Sequence, residues 1–212
     1  MTVITISREY FGGGEPVGKR VTDELGYRLV TKQTVEKILR QYGLVQLDEL
    51  QKSPGFWARV DASNLELISR LNTIILGFAQ LDNMVIIGRG GFAVLREYAN
   101  VLNVRIQAPF TVRVQRVMAS QNLSETEAEK LVTQNDKARA TFVKGFYDVD
   151  FYDTRPFQLV LDTHLVPVER ASDWIVEVAR NLANREFGEA LTTQKIEVES
   201  ILANAIQEAL IH

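Results

Sequence analysis

An α/β fold, a doubly wound parallel sheet covered by helices on both faces, is what this 212-residue sequence predicts. Short apolar runs alternate with long amphipathic stretches, which is the pattern of strands buried on both faces with a helix crossing over between them. The chain also opens on TVITISREYFGGGEPVGKR, an apolar run followed by three glycines and a proline-containing helix start, a layout suited to holding an anion.

Residues 2–6 read as the first strand, and Gly12, Gly13 and Gly14 supply backbone angles closed to other residues. Pro16 suits the first turn of a helix, where a missing N–H costs nothing. Leu29-Val30 reads either as a small strand or as a turn. Residues 31–42 and 57–81 carry apolar side chains at three and four spacing and predict helices. Met84–Ile87, Val101–Ile106 and Phe157–Leu161 are the remaining apolar runs and read as buried strands. Ser124-Glu125-Thr126-Glu127 has the form of a capping box and opens a helix running to GF at 145–146. A helix over 167–184 closes the domain, taken as residues 1–185. Residues 186–212 form a C-terminal appendix whose stripe of Val198, Ile201, Leu202, Ala205, Ile206, Ala209 and Leu210 demands a partner, either the domain itself or a second chain in a homodimer.

Composition narrows the function. A 46% hydrophobic and 24% charged chain is an ordinary globular protein, and its apolar runs are too short for a membrane span. A net charge of -3 gives no general attraction to nucleic acid. With no cysteine and only two histidines, His164 and His212, a zinc site is not expected. Neither the composition nor the first residues suggest export, so the cytoplasm is the expected location.

The glycine junction admits two registers. The literal pattern G-x-x-x-x-G-K-[ST] is nearly met by Gly13, Gly18 and Lys19, with Arg20 at the hydroxyl position. If Pro16 lies in the first helical turn, however, Gly18 and Lys19 are already inside the helix. The preferred loop is then Ser7 to Gly14, in which Gly14 stands at the usual lysine position. Such a loop holds phosphate through backbone amides and lacks a cation of its own. Arg89, between Gly88 and Gly90 at the end of a strand, stands where ligands bind in such sheets, unless it is merely a surface partner of a carboxylate. Arg113 and Arg116 share one helix face, and Asp136, Lys137 and Arg139 lie on the next helix.

The order TISREYFGGG, GYRLV, VIIGRGG, NVRIQAP followed by two arginines, NDKARATFVKGFY and LVLDT resembles the cytidylate-kinase-like proteins, a branch of the P-loop nucleoside monophosphate kinases, over residues 2–180. The resemblance implies a fold of that type, with ATP and Mg²⁺ as cofactors and small nucleotides as partners. The implied reaction is phosphoryl transfer to a nucleoside monophosphate, CMP or dCMP. It implies a nucleotide site at Ser7, Arg8, Glu9, Gly12, Gly13 and Gly14, and catalytic cations at Arg89, Arg113, Arg116 and Arg139. Acceptor contacts would come from Lys32, Arg89 and Asp136. Asp162-Thr163 resembles an element beside the adenine or the phosphate loop, or is a capping turn. The sequence departs from the family at Val30-Thr31, where a tyrosine and an aspartate are usual, and at Pro16. No metal ligand is evident, with Glu9, Glu15 and Asp162 as candidates. These departures leave a second reading open, a catalytically weak nucleotide sensor.

Overall fold

The computed structural model describes residues 2–41 and 62–211. Five parallel strands form one sheet: β1 (Val3–Arg8), β2 (Arg28–Val30), β3 (Met84–Ile87), β4 (Val101–Gln107) and β5 (Leu159–Asp162), in the order β2-β3-β1-β4-β5. Helix α1 (Gly14–Leu25) links β1 to β2, and α2 (Lys32–Gln41) and α3 (Ala62–Gln80) precede β3. The short α4 (Gly91–Val94) follows β3, α5 (Phe110–Gln121) and α6 (Glu125–Tyr147) lie between β4 and β5, and α7 (Val168–Ala183) follows β5. The chain ends on a 3₁₀ turn at Thr193–Lys195 and α8 (Ser200–Ile211). Residue 42 and residues 57–61, included in two of the expected helices, lie outside the described residues.

Alternation along the strands sends side chains to two separate cores, as a sheet wound on both sides requires. On one face Ile4, Ile6, Val85, Val104 and Ile106 pack with Val17 and Val21 of α1 and with Ala171, Ile175 and Ala179 of α7. On the other, Val3, Met84 and Ile86 pack with Ile38 of α2 and with Leu71, Ile75 and Phe78 of α3. Gly18 faces the sheet, where a Cβ would stand 2.6 Å from Ile87 Cδ1, so its place in the sequence is set by close packing of α1.

Two strand ends lie two residues from the sequence expectation. Strand β1 runs two residues past the apolar stretch, because Ser7 and Arg8 continue the pairing with Arg105 and Ile106 of β4. Strand β5 begins at Leu159, two residues later than expected, since Phe157 is turned by an N–H bond to Thr154 and packs its ring on Phe92 at 4.8 Å. It is also an edge strand with Val160 largely outward, not a fully buried one. The capping box forms as read: Ser124 accepts from Glu127 N, and the Glu127 side chain accepts from Ser124 N at 2.9 Å.

Within a single chain the apolar stripe of the tail is covered by the chain's own domain. Leu202, Ile206 and Ala209 are buried in the same core as α2 and α3, with Val198, Ala205 and Leu210 against it, and only Ile201 of the stripe points to solvent. Gly77 of α3 permits this contact, for a Cβ there would collide with Ile206. A buried polar clamp holds the approach to α8: Asp82 accepts from Thr193 Oγ1 at 2.9 Å and from Gln194 Nε2 at 2.8 Å, while Asn100 bonds the Thr193 hydroxyl and N–H. Of the two partners expected for the stripe, the chain's own domain is therefore the one that covers it, and α8 adds to the core of that domain. Deleting residues 190–212 is expected to lower the melting temperature sharply or cost solubility, while light scattering reports the same number of chains per particle as in the full protein. The single change Ile206→Ala should cost about 2–5 kcal/mol in a urea titration.

Candidate functional site

The carboxyl ends of β1 and β3 open onto a cleft of about 230 Å³ between the start of α2 and the middle of α6. Ser7, Arg8, Lys32, Arg89 and Arg139 line it together with an apolar wall of Phe92, Phe142, Val143 and Phe151. Its position follows from topology. In an open parallel sheet the loops after neighbouring strands diverge to opposite faces, leaving a crevice at the carboxyl edge.

The glycine loop is built for close approach. It turns at Glu9–Gly12 through an N–H bond of 3.1 Å, and Gly13 caps α1 in the left-handed region at φ 90°. A Cβ on Gly13 would meet Thr163 at 3.1 Å, so the loop lies tightly against the residue after β5. The first N–H groups of α1 have no acceptor within the helix and carry the positive end of its dipole. Pro16 sits in the first turn. Gly18 and exposed Lys19 fall inside α1, so the literal phosphate-loop register does not describe this geometry.

Three guanidinium groups meet at the cleft. Arg89 lies within a run of three left-handed residues, Gly88, Arg89 and Gly90 at φ 73°, 54° and 71°. A non-glycine residue held there stores strain, of order 1 kcal/mol or more. Its head is 3.3 Å from Glu36 of α2, which is itself 3.6 Å from Lys32. Arg139 reaches in from α6 over the ring of Tyr10, 3.8 Å from Asp136. Its Nη1 is buried and makes no hydrogen bond within the described structure. Burial, together with the positive charge of Arg8, lowers both Arg89 and Arg139 to about 10. Both stay charged at neutral pH and are short of negative charge. A phosphate group supplies that charge and the acceptors the guanidinium donors want.

The other predicted residues hold the site from behind. Arg113 is buried, donating to Ala108 O at 2.9 Å and Tyr10 O at 3.3 Å and paired with Asp136 Oδ2 at 2.5 Å. Asp136 in turn accepts from Tyr10 N. Glu9 accepts from Ala108 N and lies 3.3 Å from Arg113 and 3.8 Å from Arg105. Arg116 donates to Phe11 O and to the Thr163 hydroxyl and carbonyl, and Thr163 donates to Gly12 O at 2.7 Å. Asp162 closes a turn by accepting from His164 N. Thus Asp162-Thr163 both makes a turn and braces the glycine loop. Arg113, Arg116, Glu9 and Asp136 fix the loop and α6, while Arg8, Arg89, Arg139, Lys32 and Ser7 face the cleft.

Arg105 escaped the sequence reading, as did the contacts of Tyr147. Arg105, a lone arginine in the apolar run of β4, is buried against the Phe151 ring at 4.0 Å and donates to Ser7 Oγ at 3.0 Å. That charge inside a buried strand was the available signal. Tyr147 packs where Gly90 has no Cβ and donates to Asn72 at 2.8 Å, tying the end of α6 to α3. Nothing local to its sequence marks that role.

The residues present accommodate a nucleotide phosphate: an unbonded buried donor, a glycine cradle and a helix N-terminus converge. They accommodate Mg²⁺ less well. Glu15 is bonded to Arg8, Glu9 is enclosed by two arginines, Asp162 closes its turn, and among the described residues no carboxylate lines the cleft. No group of three or more His, Cys, Asp or Glu among the described residues is placed to hold a metal.

Comparison with known proteins agrees with this architecture. Cytidylate kinase of Ignicoccus hospitalis is 28% identical over 179 residues, covering 82% of this chain and 97% of that protein. An uncharacterized protein from Eubacterium ventriosum superposes with a TM-score of 0.67 at 20% identity, over 87% of this chain and 100% of its own. Shikimate kinase from Acinetobacter baumannii, in complex with shikimate, gives 0.51 at 13% identity over 87% and 96%. These two structures share the α/β fold of the chain, and no helix among its described residues is long and apolar enough to cross a membrane. With the family's sequence profile matching residues 3–165, the chain belongs to the cytidylate kinase-like family.

Proposed function

We propose that this chain transfers the γ-phosphoryl group of ATP to a nucleoside monophosphate, with CMP or dCMP as the acceptor. The observation that carries this reading is the convergence of Arg8, Arg89 and Arg139 on one cleft beside the glycine loop, with Arg139 Nη1 buried and unbonded. The kinship with proteins named cytidylate kinase supports the reaction class and suggests the base. Cytoplasmic location fits a small-nucleotide substrate, and the net charge gives no reason to expect nucleic acid.

ATP supplies the phosphoryl group, and fixed positive charge is what the protein must add. Negative charge spreads over the transferring oxygens in the transition state, and preorganised cations stabilise it without reorganising. Arg139 approaches from α6 and Arg89 from the end of β3, so they address the cleft from two sides. Lys32, at the first turn of α2, extends the positive lining toward the acceptor side. Phe92, Phe142, Val143 and Phe151 give an apolar wall that excludes water and strengthens each charge interaction. No step is assigned to Mg²⁺, because the described side chains offer it no ligand in the cleft.

That same shortage favours one second reading, a nucleotide-binding protein of weak turnover. A coupled ADP-release assay with ATP, Mg²⁺ and a panel of monophosphates, run beside ATP-binding calorimetry, separates the two. Turnover with a cytidine monophosphate supports the kinase; tight ATP binding without turnover on any monophosphate favours the sensor.

Arg139→Ala and Arg89→Ala are expected to keep the melting temperature within a few degrees and to reduce kcat by about a hundredfold, in line with loss of one transition-state donor. Arg113→Ala should behave oppositely. It takes the nearest cation from Asp136 and Glu9, and an equilibrium unfolding curve should show a loss of about 3–5 kcal/mol. Equal loss of stability in all three variants, with normal specific activity of the folded fraction, overturns the division.

Gly13→Val places a side chain at φ 90° against Thr163, and calorimetry should report ATP affinity at least tenfold weaker, roughly 1.4 kcal/mol. Lys19→Ala, on the exposed side of α1, should bind ATP as the unaltered chain does. Loss of binding in Lys19→Ala alone returns the site to the literal register.

A further inference from the structure

We propose that Arg8 is the phosphate-loop cation of this chain, its side chain occupying the space that a lysine at position 14 would otherwise fill. The assignment rests on the ATP-site reading above and gives the loop the charge it was expected to lack.

The pattern G-x-x-x-x-G-K sets a bare glycine six residues before a lysine that ends the motif, where it reaches the β- and γ-phosphates. Laid on this loop, the pattern puts Arg8 at the first glycine, Gly13 at the second and Gly14 at the lysine. The two end positions have exchanged charge for bareness. The structure gives the steric reason: a Cβ built on Gly14 would stand 2.6 Å from Arg8 Cβ and 2.7 Å from Arg8 Cγ. There is room at this point for one side chain, arriving from position 8 or from position 14.

The head of Arg8 lies on the ligand side. It lines the cleft, and across from Gly14 its Nη1 lies where a Cβ on Gly88 would be, so glycines flank the side chain on both sides. Nε and Nη2 both donate to Glu15 Oε1, at 3.0 and 2.8 Å. Glu15 lies in the first turn of α1, where the helix attracts anions, and its carboxylate holds the guanidinium at the helix N-terminus. A phosphate at that terminus would meet Arg8 already delivered to it. The charge of Arg8 is also felt at Arg89 and Arg139, which places all three cations around one volume.

The test is calorimetry of the full chain with ATP and, as a control lacking phosphate, adenosine, alongside melting temperatures. Arg8→Gln keeps much of the stem over Gly14 and removes the charge; ATP affinity should fall at least tenfold, with adenosine unaffected. Arg8→Lys should retain ATP affinity within about threefold. Gly14→Lys alone forces two side chains into one space and should lose both stability and binding. The exchange Arg8→Gly with Gly14→Lys moves the cation to the other end and should bind ATP at least tenfold more tightly than Arg8→Gly by itself. ATP bound equally by Arg8→Gln and the unaltered chain overturns the assignment, as does an exchange no better than Arg8→Gly. If Arg8→Gln fails to fold, the comparison of Arg8→Lys with the exchange decides in the same sense. An unaltered chain that binds no ATP overturns the ATP-site reading itself; one that binds it while Arg8→Gln binds equally overturns only the role of Arg8.

Discussion

The buried charge network behind the glycine loop is the constraint on which the site depends. Glu9, Arg105, Arg113 and Asp136 combine two carboxylates and two guanidiniums from the loop after β1, from β4, from α5 and from α6. Charges out of water are tolerated only when paired and hydrogen-bonded, and here each is. Glu9 also takes the Ala108 N–H, Asp136 the Tyr10 N–H, and Arg113 gives to two carbonyls. Four elements thereby share one polar junction, and the backbone of the loop is fixed by side chains it does not carry.

A rigid back makes an electron-poor front possible. Arg8, Arg89 and Arg139 crowd one cleft, and among the described residues Glu15, Glu36 and Asp136 partly offset them. Arg89 additionally sits in backbone that L-residues avoid, and Arg139 keeps a buried donor without an acceptor. Strain and unsatisfied polarity of this kind survive only where the surroundings over-determine them. The polar junction on one side, and the Phe92 and Phe157 contact on the other, supply that determination.

The far end of the sheet shows the same economy without a ligand site. Asp82, Asn100 and Thr193 form a closed hydrogen-bond triangle beneath α8, so the tail is fixed by polar geometry at its start and by apolar burial along its length. Because α8 packs on α2, which carries Lys32 and Glu36, the tail also supports the helix that borders the cleft.

The sequence alone determined the class of fold and the position of the glycine junction within it. Apolar runs of strand length, glycines next to a helix start and the capping box at Ser124 are local signals, decided by backbone conformation and period, and each formed within a few residues of its expected bounds. It did not determine which arginines face the ligand. Arg113, Arg116 and Arg139 look alike in sequence, yet the first two point into the polar junction and the loop brace, and only Arg139 reaches the cleft, because α5 packs against the loop from behind while α6 crosses in front of it. Arg105, Tyr147 and the partner of the tail stripe were likewise settled by contacts between residues far apart in sequence. The exchange of side chain between positions 8 and 14 is the sharpest case: both residues were visible, but that they share one space is a fact of tertiary packing.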